Sequence, residues 1–277
     1  MITLKILTEN RENEEFKGEP GLSVHVNAFG NKFLLDTGFT DLFLQNAKLM
    51  NLSLDDVEKI VITHGHNDHS GGITFLENKK TIIMHPNAYK ERWSIRRADY
   101  AGFLIPREKL LKKHTVIETK EHLLIHNNCY YLGEIPMTVD IEKDGNYATT
   151  LDHKITEIDV TEDDSGVAIT TDKGLFIMTG CGHRGICNTI EYAKKVTGQN
   201  TVYGVLGGFH LREVEPQKEK IDYTINYFKE NNIKELYLGH CIKDEVIEYF
   251  ENNLKDVTIH RLAAGKEFNI DVEPLNN

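Results

Sequence analysis

Four potential metal ligands lie within six positions directly after an apolar strand, and this cluster limits the possible folds more than any other feature of the sequence. The strand is predicted at 60–63 and leads into the letters HGHNDH. In an extended chain, side chains two positions apart point to the same face, so His64 and His66 can bind one ion. Asp68 and His69 follow where the chain turns into a helix, and from there they can address a second ion.

Imidazole and carboxylate donors in one short segment predict a two-metal centre. This donor set suits Zn²⁺, and it also suits Fe or Mn. We therefore expect two divalent transition-metal ions as cofactors, with zinc favoured. The alternative is a histidine-rich loop in solvent, which explains one stray histidine but not three histidines and an aspartate at the end of a buried strand.

The rest of the chain alternates strands and helices in two halves. Strands are predicted at 22–26, 32–36, 81–84, 167–170, 175–179, 202–206 and 236–238. Helices are predicted at 42–50, with Asp41 as a cap, and at 186–196, 216–231 and around 246–250. This order predicts an α/β fold, a four-layer αβ/βα sandwich with helices on the outer faces of two packed sheets. We expect a single domain across 1–277, with an insertion or lid at approximately 86–140, where the periodicity is irregular.

The composition argues against several kinds of partner. The net charge of −11 argues against a nucleic-acid surface, because binding to phosphate backbones needs clustered Lys and Arg. No apolar run approaches the roughly 18 residues of a membrane-spanning helix, and the N-terminus does not resemble a signal peptide. The four cysteines are expected to be reduced thiols or ligands, which favours the cytoplasm. We expect no membrane partner, and the sequence leaves the oligomeric state open.

The H-x-H-x-D-H pattern resembles the metal motif of the metallo-β-lactamase superfamily. Asp36, after an early strand, resembles the acidic motif that precedes the histidine cluster, and the resemblance implies that it orients ligands by hydrogen bonds. His240, after a late strand, resembles the last metal histidine. The alternative for Asp36 is a simple turn-forming residue.

The middle of the chain departs from the common hydrolases of this superfamily, which have a histidine in a Gly-His-Thr-like loop and then a bridging aspartate. Here Cys181 stands where that aspartate is expected, and His183 follows two positions later. Either side chain is a candidate ligand; the alternatives are a small buried cysteine and a histidine that contacts substrate or caps the next helix. For His210, after Gly207-Gly208, ligand, substrate-contact and structural roles are all open.

This variant pattern is similar to a narrower branch, related to the archaeal 7,8-dihydropterin-6-ylmethyl-4-(β-D-ribofuranosyl)aminobenzene 5′-phosphate synthase and to metal-dependent hydrolases. The resemblance extends from Asp36 to the C-terminal strand and indicates the branch better than the substrate. Trp93, Arg96 and Arg97 in the predicted lid are candidate substrate-binding residues, since aromatic rings suit a heterocycle and Arg suits phosphate. The alternative is an amphipathic helix with a solvated basic face.

These features predict a metal-dependent hydrolase that uses a metal-bound water, acting on a small anionic phosphoester or related ester. The catalytic candidates are Asp68, which would ligate the second ion and orient the nucleophile, and Asp36 behind it. The main alternative is a transferase that joins a pterin to a ribofuranosylaminobenzene phosphate. A weaker alternative is a non-catalytic protein that binds metal or ligand.

Overall fold

Two seven-stranded β-sheets pack face to face at the centre of the fold, and three further strands form a small separate sheet. The computed structural model describes residues 1–95, 97–143, 147–151 and 154–275. Within these residues the strands are β1 (Ile2–Thr8), β2 (Ser23–Ala28), β3 (Asn31–Leu35), β4 (Lys59–Val61), β5 (Thr81–Met84), β6 (Arg92–Ser94), β7 (Thr115–Glu118), β8 (Leu123–His126), β9 (Cys129–Tyr131), β10 (Tyr147–Leu151), β11 (Lys154–Asp159), β12 (Gly166–Thr171), β13 (Gly174–Thr179), β14 (Val202–Gly207), β15 (Glu235–Leu238), β16 (Thr258–Arg261) and β17 (Glu267–Ile270).

The helices are α1 (Leu42–Leu49), α2 (Asn67–Ser70), α3 (Arg107–Lys113), α4 (Ile186–Thr197), α5 (Val214–Glu230) and α6 (Asp244–Asn253), with 3₁₀ turns at Gly71–Phe75, Pro86–Tyr89 and Asp140–Glu142. Four of the helices, α1, α4, α5 and α6, lie where the 3.6-residue apolar pattern predicts them, whereas α3 was not predicted. Asp41 is the N-cap residue of α1, as predicted, but its side chain makes no capping hydrogen bond among the described residues. In the described ranges, no helix combines the length and apolar character needed to cross a bilayer.

Alternate residues of the central strands face different layers, which is what a strand buried on both sides requires. In β13, Phe176 and Met178 pack between the two sheets, whereas Leu175 and Ile177 pack against α4, α5 and α6. The first sheet has a matching outer layer, in which Leu34 of β3 belongs to the same cluster as α1. The predicted αβ/βα sandwich is therefore confirmed.

The strand order brings the carboxyl ends of several parallel strands to one edge of each large sheet. The first sheet runs β17-β1-β2-β3-β4-β5-β7, with β3, β4, β5 and β7 parallel. The second runs β16-β15-β14-β13-β12-β9-β8, with β13, β14, β15 and β16 parallel. Loops that follow these strands therefore converge, and ligand sites in α/β sheets form at such edges.

The segment predicted as an insertion contains strands of the main sheets. β7 pairs with β5 at the edge of the first sheet, and β8 and β9 extend the second sheet beyond β12. The predicted extent of 86–140 is therefore wrong, because 115–131 belongs to the core sheets. These strands are only three or four residues long, too short for alternation to stand out among basic and aromatic residues. Outside the large sheets, β6 pairs with β10.

Candidate metal centre

The HGHNDH segment begins just after β4 and turns into α2, as the sequence predicts. His66 has extended backbone angles at the N-cap of α2, so His64 and His66 share a face while Asp68 and His69 lie on the first turn. Gly65 is required between the two histidines, because a Cβ at this position would come within 1.9 Å of the Ala88 carbonyl oxygen. The cluster is therefore held between the first sheet and the turn that precedes β6.

His64, His66 and His183 form the first ligand group. Their ring nitrogens lie within 4.8 Å of one another, and each residue is only 1% exposed. His64 Nε2 is 2.9 Å from His66 Nδ1, and the ring centroid of His183 is 5.0 Å from that of His64. The structure thus brings His183 to the position that a third imidazole ligand needs, although its ligation of a metal stays a prediction.

Asp68, His69 and His240 form the second ligand group, again with donor atoms within 4.8 Å of one another. His69 Nε2 and His240 Nε2 are 2.9 Å apart. Cys181 lies between the two groups, because its Sγ is 3.3 Å from His69 Nε2 and 3.2 Å from His240 Nε2 and it also meets the ligand distance to His64. Cys181 and His183 therefore lie in different candidate ligand groups.

Asp36 determines which ring nitrogens of two histidines face the centre. Its carboxylate is fully buried and accepts hydrogen bonds from Thr63 Oγ1 and His69 Nδ1, both at 2.7 Å. Because the Thr63 hydroxyl donates to Asp36, it accepts the bond from His64 Nδ1 at 3.1 Å. Both histidines therefore turn Nε2 toward the centre, and this nitrogen is a lone pair when the imidazole is neutral. Asp36 lies behind His69 and orients it, as the resemblance implies, while a catalytic role for Asp36 stays a prediction.

Glu9 and Asn10, at the end of β1, orient His240. Asn10 donates from Nδ2 to the His240 carbonyl at 3.0 Å, so its Oδ1, 3.1 Å from His240 Nδ1, accepts the ring proton. Glu9 accepts the backbone N–H of His240. This pairing leaves His240 Nε2 as a lone pair. His240 has a left-handed φ of 61°, a conformation that bulky residues adopt mainly where the surroundings enforce it.

The donor set fits divalent metal ions. His69 Nε2 and His240 Nε2 lie 2.9 Å apart, and if both imidazoles are neutral these two lone pairs need a cation between them. Burial lowers the pKa of His64 and His66 well below the ordinary value and that of His240 to about 3, which keeps these imidazoles neutral as metal ligands must be. Burial also opposes a charge on His69, but Asp36 and Asp68 outweigh it and raise its pKa to about 9.

Comparison with known proteins agrees with this geometry. The model of the metallo-beta-lactamase superfamily matches residues 19–194. The chain belongs to the metallo-β-lactamase superfamily. The 7,8-dihydropterin-6-methyl-4-(beta-D-ribofuranosyl)-aminobenzene-5'-phosphate synthase of Methanocaldococcus jannaschii is 31% identical over 273 residues, covering 92% of this chain and 91% of that protein.

Solved structures show the same fold. A metal-dependent hydrolase of the beta-lactamase superfamily has a TM-score of 0.86 and 26% identity, covering 98% of this chain and 99% of that one. A diphosphatase from the PhnP family has a TM-score of 0.54 at 14% identity over similar shares, a likeness of fold alone. Relatives of this superfamily generally use divalent metals, which accords with the ligand groups above.

Within this superfamily fold, a cavity of about 220 Å³ opens onto the second ligand group. Its lining includes Asp68, Cys181, His240, Arg97, Arg212 and Lys243. Asp68 is 28% exposed at its side chain, and although burial opposes its charge, His69 and His240 outweigh burial and lower its pKa. The cavity therefore combines one ionised carboxylate with three cationic side chains.

The candidate substrate residues of the predicted lid have different outcomes. Arg97 lines the cavity, and its Nε pairs with Asp99 at 3.0 Å; its role in substrate binding stays a prediction. Trp93 is half-buried against Tyr100, with ring centroids 5.6 Å apart, and does not line this cavity. Arg96 lies outside the described residues. His210 is not a member of any ligand group among the described residues.

Sequence reasoning missed a buried ionic network behind the first ligand group. Arg92 is fully buried and pairs with Asp159 and Asp163, and Asp163 Oδ2 accepts the backbone N–H of Gly65 at 2.7 Å. Asp164 Oδ1 lies 3.8 Å from His64 Nδ1, and burial raises the pKa of this carboxyl to about 6. The adjacent acidic pair just before β12 was the available signal, because two carboxylates directly before a buried strand need buried partners.

Cys241 is the other residue whose position the sequence did not indicate. Cys241 lines the cavity, and its thiol is within ligand distance of Cys181 and His240. Burial raises the pKa of the Cys181 thiol well above its usual value, so the thiolate form of Cys181 requires a cation nearby. The sequence Gly239-His240-Cys241 does not by itself indicate that Cys241 lies at the cavity. This position becomes evident only when the fold brings Cys241 close to Cys181.

Proposed function

We propose that this chain is a hydrolase with two divalent metal ions, Zn²⁺ in the first instance, that acts on a small phosphoester or related ester. The observation that carries the proposal is the adjacency of two complete ligand groups, with Cys181 between them and one cavity open to the second group. Adjacent sites of this kind suit hydrolytic displacement, in which attacking and leaving oxygens must both be stabilised.

Each ligand group would hold one of the two ions. His64, His66 and His183 would hold one ion, and Asp68, His69 and His240 the other, with Cys181 available to either. When bound, the ions would supply the Lewis acidity that ionises a water near neutral pH and neutralises a phosphoryl oxygen. Asp68, at the cavity wall, is placed to ligate and to orient the attacking group, while Asp36, Thr63 and Asn10 hold the imidazoles in the required tautomers.

The charge and size of the cavity support the proposal that the substrate is small and anionic. Arg97, Arg212 and Lys243 come from three separate loops and line one opening, although the whole chain carries a net charge of −11. A cavity of about 220 Å³ suits part of a metabolite and not a folded polymer. Cations at the mouth of an acidic protein concentrate and orient phosphorylated molecules.

A direct test is to assay zinc-, manganese- and iron-loaded protein against phosphomonoesters, phosphodiesters and carboxylic esters. We expect hydrolysis of at least one phosphoester that chelator treatment abolishes and added metal restores. Asp68→Ala should remove the activity, whereas the control His122→Ala, an exposed histidine, should retain it. Activity that survives complete metal removal would contradict the proposal.

A second candidate is synthase chemistry that joins a pterin to a ribofuranosylaminobenzene phosphate. It is favoured by 31% identity to the M. jannaschii synthase across 92% of this chain. The assay is a dihydropterin pyrophosphate with a ribofuranosylaminobenzene phosphate, followed by mass spectrometry of the products. A coupled product without hydrolysis of simple phosphoesters would establish the transferase; metal binding with neither reaction would favour a non-catalytic role.

A further inference from the structure

The loop between β14 and α5 is held in a strained conformation beside the metal centre. Phe209 and His210 have left-handed φ angles of 55° and 50°. Gln217 fixes the loop from the first turns of α5: its Oε1 accepts the backbone N–H of Arg212 at 2.7 Å, and its Nε2 donates to the His210 carbonyl at 3.1 Å. Non-glycine residues in such conformations persist where surrounding contacts enforce them, and they concentrate at functional sites.

His210 uses its ring to hold an arginine. Arg212 donates from Nη2 to His210 Nε2 at 2.8 Å, and because a guanidinium only donates, His210 Nε2 is the acceptor and is unprotonated. The His210 ring is 1% exposed and packs on His183 of the first ligand group, with centroids 4.3 Å apart. His210 therefore contacts both His183 of the first ligand group and Arg212.

Arg212 reaches the cavity at the second ligand group. It lines the same opening as Asp68, His240 and Cys181. A guanidinium is planar and carries its donors in a fixed fork, so one hydrogen bond to a buried ring orients the whole group.

The two other cations at the opening are less suited to fix a substrate. Arg97 pairs with Asp99 and Lys243 with Glu213, and the side chains of both cations are more than half exposed. Exposed ion pairs are weak and leave long side chains mobile. Arg212, by contrast, is half-buried and has a partner that is itself buried.

We propose that Arg212 binds a phosphoryl group of the substrate and that His210 is a positioning residue for Arg212 rather than a metal ligand. The assignment rests on the proposed function for the view that the phosphoryl group belongs to a substrate. It gives the site a specificity element, because a planar fork recognises phosphate oxygens in pairs.

The test measures binding of inorganic phosphate to zinc-loaded, full-length protein by titration calorimetry, together with metal content. Arg212→Ala should weaken phosphate binding about 10- to 100-fold, the value of a charge-assisted hydrogen bond, with zinc content unchanged. Arg212→Lys should restore only part of the loss, since it keeps the charge but not the fork. The matched control Lys255→Ala, an exposed lysine beside a different cavity, should bind phosphate like the wild type.

A double-mutant cycle tests the role of His210. His210→Ala should weaken phosphate binding with full zinc content, His210→Gln should recover much of it by keeping an acceptor, and His210→Ala should add little once Arg212 is alanine. Additive losses or loss of zinc in His210→Ala would overturn the positioning role. Phosphate binding by Arg212→Ala equal to that of Lys255→Ala would overturn the assignment of Arg212.

Kinetics separate this inference from the proposed function. If the wild type hydrolyses a phosphoester, Arg212→Ala should raise KM more than it lowers kcat, because the contact already exists in the bound ground state. An unchanged KM with hydrolysis intact overturns the inference and leaves the proposed function standing. Phosphate binding that depends on Arg212 in a protein without hydrolytic activity supports the inference and contradicts the proposed function.

Discussion

The two ligand groups of the centre differ more in their surroundings than in their donors. The group of His64, His66 and His183 consists of imidazoles alone, each 1% exposed. The group of Asp68, His69 and His240 includes a carboxylate with 28% of its side chain exposed, and it opens to the cavity. The first group is therefore enclosed and contains imidazole donors only, whereas the second group is open and contains a charged carboxylate. We expect the enclosed group to retain its ion and the open, charged group to meet the substrate.

The groups are also supported differently from behind. Asp36 reaches both of them, directly through His69 and through Thr63 to His64. Asn10 reaches only the open group, through His240. A change at Asp36 should therefore act on both ions, and a change at Asn10 on one.

The largest effect is expected from removing a ligand of the enclosed group. His66→Ala should lower kcat/KM for the phosphoester identified above by at least about a thousandfold, because metal-ion catalysis contributes several kcal/mol. Steady-state kinetics under metal excess measures the loss, with His122→Ala as the control. A loss of less than about tenfold would show that the reaction does not require the enclosed group.

Between the two middle candidates, His183→Ala should lower metal content and activity more than Cys181→Ala. His183 completes the enclosed group, whereas Cys181 stands between groups that have three other donors each. Removal of a direct ligand should exceed the roughly 10- to 100-fold loss of affinity that follows removal of an outer partner. Zinc titration of both variants checks the order; a larger loss in Cys181→Ala would reverse the assignment.

Substitutions behind the ligands should sharpen the comparison with smaller effects. Asp36→Asn should weaken both zinc affinities by about 10- to 100-fold, because the amide is a weaker acceptor for the His69 ring proton. Asn10→Ala should weaken only the second affinity. Competition with a chromophoric chelator resolves the two steps, and equal effects of the two variants on both steps would show that the groups are not separately supported.

The smallest effect concerns a buried histidine outside the centre. Among the residues that the structure describes, neither ring nitrogen of His25 has a hydrogen-bond partner. Burial, followed by the charges of Lys32 and Lys5, lowers the pKa of His25 to about 4. The unfolded chain therefore binds more protons between about pH 6.5 and 4, so the free energy of unfolding falls as pH falls through that window. Urea unfolding of metal-free protein at pH 7 and 5 should show a smaller pH difference for His25→Gln than for the wild type; an equal difference would contradict the assigned titration.

The sequence predicted the parts of the molecule that are encoded locally. Four candidate ligands in HGHNDH share one strand end, and the layers follow from the strand and helix periods. Cys181, His183 and His240 were located because they also follow strands, but their division between two groups depends on how β13 and β15 meet the first sheet. Glu9, Asn10 and Arg92 act through single contacts with residues distant in sequence, so no local pattern marks them.

The segment after β5 was wrongly predicted as an insertion because its local periodicity is irregular. Basic and aromatic residues hid three short strands that pairing partners stabilise from elsewhere in the chain. Strand formation there depends on β5 and β12 rather than on its own alternation. Tertiary pairing of this kind overrides weak local preference.

The assignment of the two ligand groups as metal sites is tested most directly by the metal content of the protein purified without chelator. Plasma mass spectrometry measures this content as ions per chain. The two ligand groups predict about two transition-metal ions for the wild type and about one for Asp68→Ala, in which the enclosed group is intact. They also predict a clear loss in His66→Ala. Wild-type metal content in both variants would contradict the assignment of the two groups as metal sites.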